Sequence, residues 1–111
     1  MNAEPALMSL TSVAKAIAEK RISSREATQS CLDRIAQWQP RLNAFMAIEA
    51  EAALAAADAA DAALARGKTP IGKSAGVLHG VPIAHKDMYY DAGKVVTCGS
   101  KIRRDFVATT T

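Results

Sequence analysis

Large side chains suited to filling a core are scarce in this chain. Five of its 111 residues are aromatic: Trp38, Phe45, Tyr89, Tyr90 and Phe106. Half of the residues are hydrophobic, but alanine supplies much of that half. A chain of this length builds one modest domain with a single core and is too short for two. Cysteine is nearly absent. Cys31 and Cys98 lie far apart and match no CxxC or metal-ligand spacing, which argues against a disulfide framework and for a reduced, cytosolic state. The opening stretch, MNAEPALMSL, has no basic segment followed by an apolar one, so no secretory signal is expected. The most apolar long stretch, residues 52–65, is mostly alanine and carries Asp58 and Asp61, a poor match to a membrane span. Neither sign of charge dominates. Fourteen basic and eleven acidic residues give +3 and are scattered along the chain, whereas a nucleic-acid binder should show a concentrated basic stripe. These absences predict a soluble cytoplasmic protein with no nucleic-acid or membrane partner.

The pattern that is present is helical at first. Leu10, Val13, Ala14 and Ile17 recur at helical spacing and predict a short helix over 12–20. Ser23 stands three residues before Glu26, the capping-box pattern, so a second helix is expected over 24–38, ended by Pro40. In RLNAFMAI the period changes: Leu42, Ala44, Met46 and Ile48 alternate, predicting a strand over 42–48. An alanine-rich helix follows over 49–66, with Glu49 and Glu51 at its positive end, Arg66 at its negative end and Gly67 as its cap. KTPIGKSAG, residues 68–76, reads as a mobile loop. Strands are predicted over 81–86 and, after the turn at 91–93, over 94–98. The order of elements indicates an α/β fold. A strand or two cannot cover their own faces and edges, so the sequence reads as the opening part of a larger sheet protein.

The apolar run LHGVPIAHKD, residues 78–87, ends on Lys86 and Asp87. On a strand, Pro82, Ala84 and Lys86 share one side and Val81, Ile83 and His85 the other. Lys86 then stands at the C-terminal end of its strand, the edge where open α/β sheets build sites. An amine held there among apolar neighbours is pushed toward its neutral form, able to act as a base toward a serine nucleophile. The same residues also fit a lysine that snorkels past the strand end and pairs with Asp87 or water. Physical argument alone leaves both readings open.

GVPIAHKD, followed by the Gly99-Ser100 turn, resembles the start of the conserved region of the amidase signature family. Upstream, RISSREATQSCLDRIAQWQPRLNAFMAIEAEAALAAADAADAAL resembles that family's N-terminal portion, so the likeness spans nearly the whole chain. It implies an α/β fold in which these helices and first strands belong to a mixed sheet, incomplete in 111 residues. It also implies a Ser-cisSer-Lys amidase that hydrolyses carboxylic amides to an acid and ammonia or an amine. In that family the motif's lysine is the base. It acts through a serine with a cis peptide bond on a second serine, which attacks the carbonyl and forms an acyl-enzyme that water releases. The resemblance assigns Lys86 that role, with no cofactor and no metal. Both catalytic serines of the family lie downstream of the lysine, and Ser100 matches only the Gly-Ser turn. No Gly/Ser-rich run occurs in the sequence. The expectation is therefore an N-terminal piece of an amidase, inactive alone, whose complete form takes a small-molecule amide.

Two other readings accompany this one. The stretch fits equally the A subunit of a tRNA-dependent amidotransferase. It also fits a non-catalytic helical module that docks the alanine face of residues 49–66 on a partner helix. Substrate identity and oligomeric state are open, with a homodimer among the assemblies allowed. Of the remaining polar residues, His85 is expected to pack against a helix and His79 to serve a turn. Asp87 is expected to bond backbone N–H groups in the following loop, and Cys31 to lie in the core. Tyr89 and Tyr90 are candidates for lining a substrate path or packing the loop. Lys101, Arg103 and Arg104 are expected to form a solvated basic face. An isolated chain of this kind should expose apolar faces.

Overall fold

A computed structural model of the chain describes residues 3–67 and 76–111. Three helices carry the N-terminal part: α1, Leu10–Ala18; α2, Ser24–Leu42; and α3, Ala50–Ala65. Ser9 caps α1 by accepting the Ser12 N–H at 3.2 Å, so the helix starts two residues earlier than its periodicity suggests. Lys20, at φ 56°, turns the chain out of it. The core is small. Val13 and Ile17 of α1, Ala27 of α2 and Leu64 of α3 form it, with Met8, Ile22 and Val81 packed against them.

The start of α2 fixes how α2 and α3 meet. A helix leaves its first four N–H groups without an intrahelical acceptor. Glu26 accepts from the Ser23 N–H at 2.7 Å and Ser23 Oγ from the Glu26 N–H at 2.9 Å, closing the capping box. The other two amides are bonded from α3. Asp61 accepts from the Ser24 N–H at 2.7 Å and the Arg25 N–H at 3.0 Å. Ser24 is 1% exposed, and its hydroxyl donates to the Gly80 carbonyl at 2.5 Å. Gly80 holds φ +76°, and a Cβ there would stand 3.0 Å from Ser24 Cβ, so this approach requires glycine. His79 of the same turn bonds the Ala60 carbonyl of α3 at 2.9 Å.

The fold differs from the sequence expectation in its strands. Residues 43–49 form no strand; α2 instead runs past Pro40 to Leu42. Pro40 forgoes one hydrogen bond, that to the carbonyl of Ala36, and only two helical residues follow it. Asn43 ends the helix in the left-handed conformation, at φ 46°. The Gln39 side chain then holds the exit: it accepts from the Ala44 and Phe45 N–H groups at 3.0 and 3.1 Å and donates to the Phe45 carbonyl at 2.8 Å. One side-chain amide satisfies the backbone that a sheet neighbour would have satisfied. Residues 81–86 carry no ladder, and the strand expected over 94–98 is reduced to an isolated antiparallel bridge between Val95 and Val107. The described residues are thus helical, and no mixed sheet is formed among them. The loop expected at 68–76 lies, except for Gly76, outside the described residues.

The C-terminal part is held by directional polar contacts. Lys94 pairs with Glu49 at the start of α3. Asp87 accepts from the Thr97 N–H at 2.9 Å and from the Thr97 hydroxyl. The Thr97 hydroxyl, and after it the Thr97 N–H, hold the Asp87 carboxyl below the ordinary aspartate range.

Two outcomes follow from these contacts. Asp61→Ala leaves the Ser24 and Arg25 amides without acceptors and should destabilise the chain by about 1–2 kcal/mol in a urea titration. Asp61→Asn, which keeps one acceptor oxygen, should lose less. For Asp87 the sign is set by its lowered folded value. Its contribution is fully present above the unfolded aspartate value, about 3.9, and is lost as pH falls through the lower folded one. The Thr97 amide resonance should therefore stay fixed on acidification until below about pH 4, and Thr97→Val should move that midpoint upward.

Candidate active site

The lysine motif leaves the core at one residue. Val81 is half-buried against the helices, and its N–H closes the 77–80 turn on the Leu78 carbonyl at 3.0 Å. Beyond Pro82 the side chains of Ile83, Ala84, His85 and Lys86 are all exposed. This corrects two expectations. The Lys86 amine is not shielded in this chain, and His85 is not packed against a helix. Without a ladder, alternation gives neither face a partner to be buried against. His85 instead meets the Tyr89 ring edge-on, with centroids 6.5 Å apart at 88°.

Ile83, Ala84, His85, Tyr89 and Tyr90 line an open depression of about 430 Å³; Lys86, next in sequence to His85, is not among its lining residues. The backbone there is tightly wound. The Lys86 carbonyl accepts from the Met88 N–H at 2.7 Å and the Tyr89 N–H at 3.2 Å. The neighbouring Asp87 carboxylate is engaged by Thr97, as expected of an acid that bonds the following loop rather than Lys86. The Thr97 hydroxyl oxygen accepts from the Gly99 N–H at 3.1 Å, and the Thr97 carbonyl accepts from the Ser100 N–H at 2.9 Å. Among the described residues Lys86 enters no ion pair.

Arg103 is not part of a solvated basic face. Its guanidinium lies 4.1 Å from the Phe106 ring centroid and 5.7 Å from that of Tyr90, and it donates to the Tyr90 hydroxyl at 2.9 Å. That bond holds Arg103 more firmly protonated than usual. Tyr90 therefore both lines the depression and packs the loop. Lys101 and Arg104 remain exposed. Cys31 is half-buried, and burial pushes its thiol up, away from reactivity. Cys98 is exposed, at φ 52°. No group of three or more metal-ligating side chains occurs among the described residues.

Sequence reasoning misses Thr97, Asp61 and the clamp on Arg103. A signal exists for the first, because a threonine two residues before a glycine favours a side-chain turn onto the backbone. Asp58 and Asp61, three apart in an alanine-rich helix, mark a polar face on α3. Nothing local marks Arg103.

Comparison with known proteins supplies what the geometry leaves unnamed. The chain is 49% identical over 100 residues to the A subunit of glutamyl-tRNA(Gln) amidotransferase from Thiobacillus denitrificans, covering 90% of this chain and 19% of that one. The same-named protein of Azoarcus sp. is 46% identical over 100 residues, with the same coverage. That of Pelobacter propionicus is 48% identical over 88 residues, covering 79% and 17%. The chain thus spans about a fifth of the length of the curated relatives it matches. Among solved structures, one described as an unexpected vestigial protein complex that reveals the evolutionary origins of an s-triazine catabolic enzyme superposes with a TM-score of 0.80. It is 31% identical, over 93% of this chain and 22% of that one. Residues 26–111 match the family described as Amidase, and the chain belongs to the amidase signature family.

Proposed function

We propose that this chain is the N-terminal part of a single amidase domain and that Lys86 is the base of its Ser-cisSer-Lys machinery. The observation that supports this most is the placement of GVPIAHKD. The lysine directly follows residues that line an open depression, on backbone fixed at Gly80 and again at Asp87, in a chain whose residues 26–111 match the family. The neutral amine of Lys86 takes a proton from one serine, which takes one from the second. The second serine attacks the amide carbonyl, the proton returns from Lys86 through the first serine to the leaving nitrogen as the tetrahedral intermediate expels ammonia or an amine, and water hydrolyses the acyl-serine to the acid. Both serines and the oxyanion donors belong to segments beyond these residues. On this reading the exposed lysine is half of a site, and the rest of the domain supplies the wall that desolvates it. Residues 81–86 and 94–98 join the mixed sheet of that complete domain. The substrate is a small-molecule amide and the protein is cytoplasmic.

A second reading has a specific observation behind it: relatives at 42–49% identity carry the name of an amidotransferase's A subunit. On that reading the amide nitrogen passes to glutamyl-tRNA(Gln), and the partners are other subunits rather than a second copy. The reading as a helical docking module has less to stand on. α3 packs on α2 of its own chain, with Leu64 in the shared core.

The 111-residue chain alone should release no ammonia from simple amides above the buffer rate. Turnover by the isolated chain contradicts the assignment. In a chimera carrying this chain in place of the matching stretch of the Thiobacillus denitrificans protein, Lys86→Ala should lower kcat for amide hydrolysis by about 10²–10⁴-fold. Its far-UV circular dichroism and melting should be unchanged. Retained turnover removes Lys86 from the mechanism.

A further inference from the structure

Lys86 and Asp87 are adjacent in sequence, yet the two charges are kept apart. The Asp87 carboxylate faces Thr97, which donates its N–H at 2.9 Å to one oxygen and its hydroxyl to the other. Thr97 is itself anchored. Its hydroxyl oxygen accepts from Gly99 at 3.1 Å, its carbonyl from Ser100 at 2.9 Å. The preceding Val96 donates to the Phe106 carbonyl at 2.9 Å, beside the Val95–Val107 bridge. On the other side of Asp87, the Lys86 carbonyl receives both Met88 and Tyr89. The peptide joining Lys86 to Asp87 is thus gripped from both ends while the lysine side chain remains open to solvent.

We propose that Asp87 and Thr97 are positioning residues for the Lys86 amine. Their clamp fixes the backbone from which the amine projects and holds the carboxylate where it cannot pair with it. Both effects serve a base. A free carboxylate next to the amine would hold it in the charged form that accepts no proton. A loose backbone would spread the amine over positions from which proton transfer is slow, since a displacement of about 1 Å at a reacting group can cost about 10²-fold. The inference rests on the reading of Lys86 as base, and its test separates the two.

In the chimera, kcat and KM for amide hydrolysis are measured for Lys86→Ala, Asp87→Ala, Thr97→Val and Thr97→Ser. Asp87→Ala and Thr97→Val should lower kcat by about 10–100-fold with KM within about threefold. Thr97→Ser, which keeps both donors, should restore kcat to within about threefold of the parent; a purely structural defect would not show this split with rescue. If Lys86→Ala is inactive while Thr97→Val keeps kcat within about twofold, the clamp has no positioning role and the base reading stands. If Lys86→Ala keeps its activity, both fall. Hydrogen exchange on the 111-residue chain tests the clamp without the chimera. In Asp87→Ala the Thr97 and Tyr89 amides should exchange at least about tenfold faster, and unchanged exchange overturns the proposal.

Discussion

The first four amides of α2 have no carbonyl one turn earlier to bond, and Ser24 among them is almost wholly buried. A buried amide left unpaired costs about 1–3 kcal/mol, a large fraction of the stability of a chain with so small a core. Its own turn can satisfy two of the four, through Ser23 and Glu26. The other two are met by the Asp61 carboxylate of α3, across 37 residues of sequence for Ser24. That requirement sets where α3 lies against α2. The Ser24 hydroxyl, turned the other way, sets where the 77–80 turn lies through Gly80. The path into the lysine motif is therefore a consequence of helix capping. Arg25, bonded at 2.6 Å to Asp58, adds an exposed ion pair to the same junction, a contribution of at most about 1 kcal/mol.

Downstream of that junction the hydrophobic effect has little to work with. Val81 reaches the core, and then Ile83, Met88, Tyr89 and Ile102 stand exposed, Ile102 almost fully at 97%. These exposed side chains have no apolar layer against them among the described residues. The Lys86 side chain lies open in the same stretch. What these residues do determine is the backbone on which the amine is mounted.

Legibility in the sequence follows the range of the interaction. The capping box at Ser23 and Glu26 is readable because both partners lie within one turn. The alanine-rich α3 is readable because propensity sums along a single segment. The motif at 78–87 and the engagement of Asp87 by a later loop are also readable. The strand expected at 42–48 fails because four alternating apolar residues describe a surface only if a neighbouring strand exists. Here Gln39 and the left-handed Asn43 bond that backbone locally. The same limit applies to 81–86 and 94–98, whose pairing is not decided within the segment. Asp61 is visible only as a charge on a helix face. Its acceptor role is fixed by the packing of α2 on α3, which no single window contains.

The scarcity of large side chains that the composition announces reappears in how residues 86–108 are held. Buried side chains there are few and small, Val96 and Ala108, so contacts of defined direction take over. Thr97 closes on Asp87, and Arg103 lies over Phe106 while bonding the Tyr90 hydroxyl. Cation–π contacts and hydrogen bonds of this kind are individually modest, because water competes for the same groups. Each is too weak to fold a segment, yet each specifies an angle as well as a distance. Asp87 and Tyr90 flank the turn that follows Lys86, and both are gripped from residues 97–106. A hydrophobic cluster of equal strength would tolerate sliding by fractions of an ångström; a carboxylate held by two donors and a guanidinium stacked on a ring do not. A small core at the helices and a polar, directional clamp beside Lys86 thus divide the work: burial holds the helices together, and contacts of defined angle fix the turn that follows the lysine.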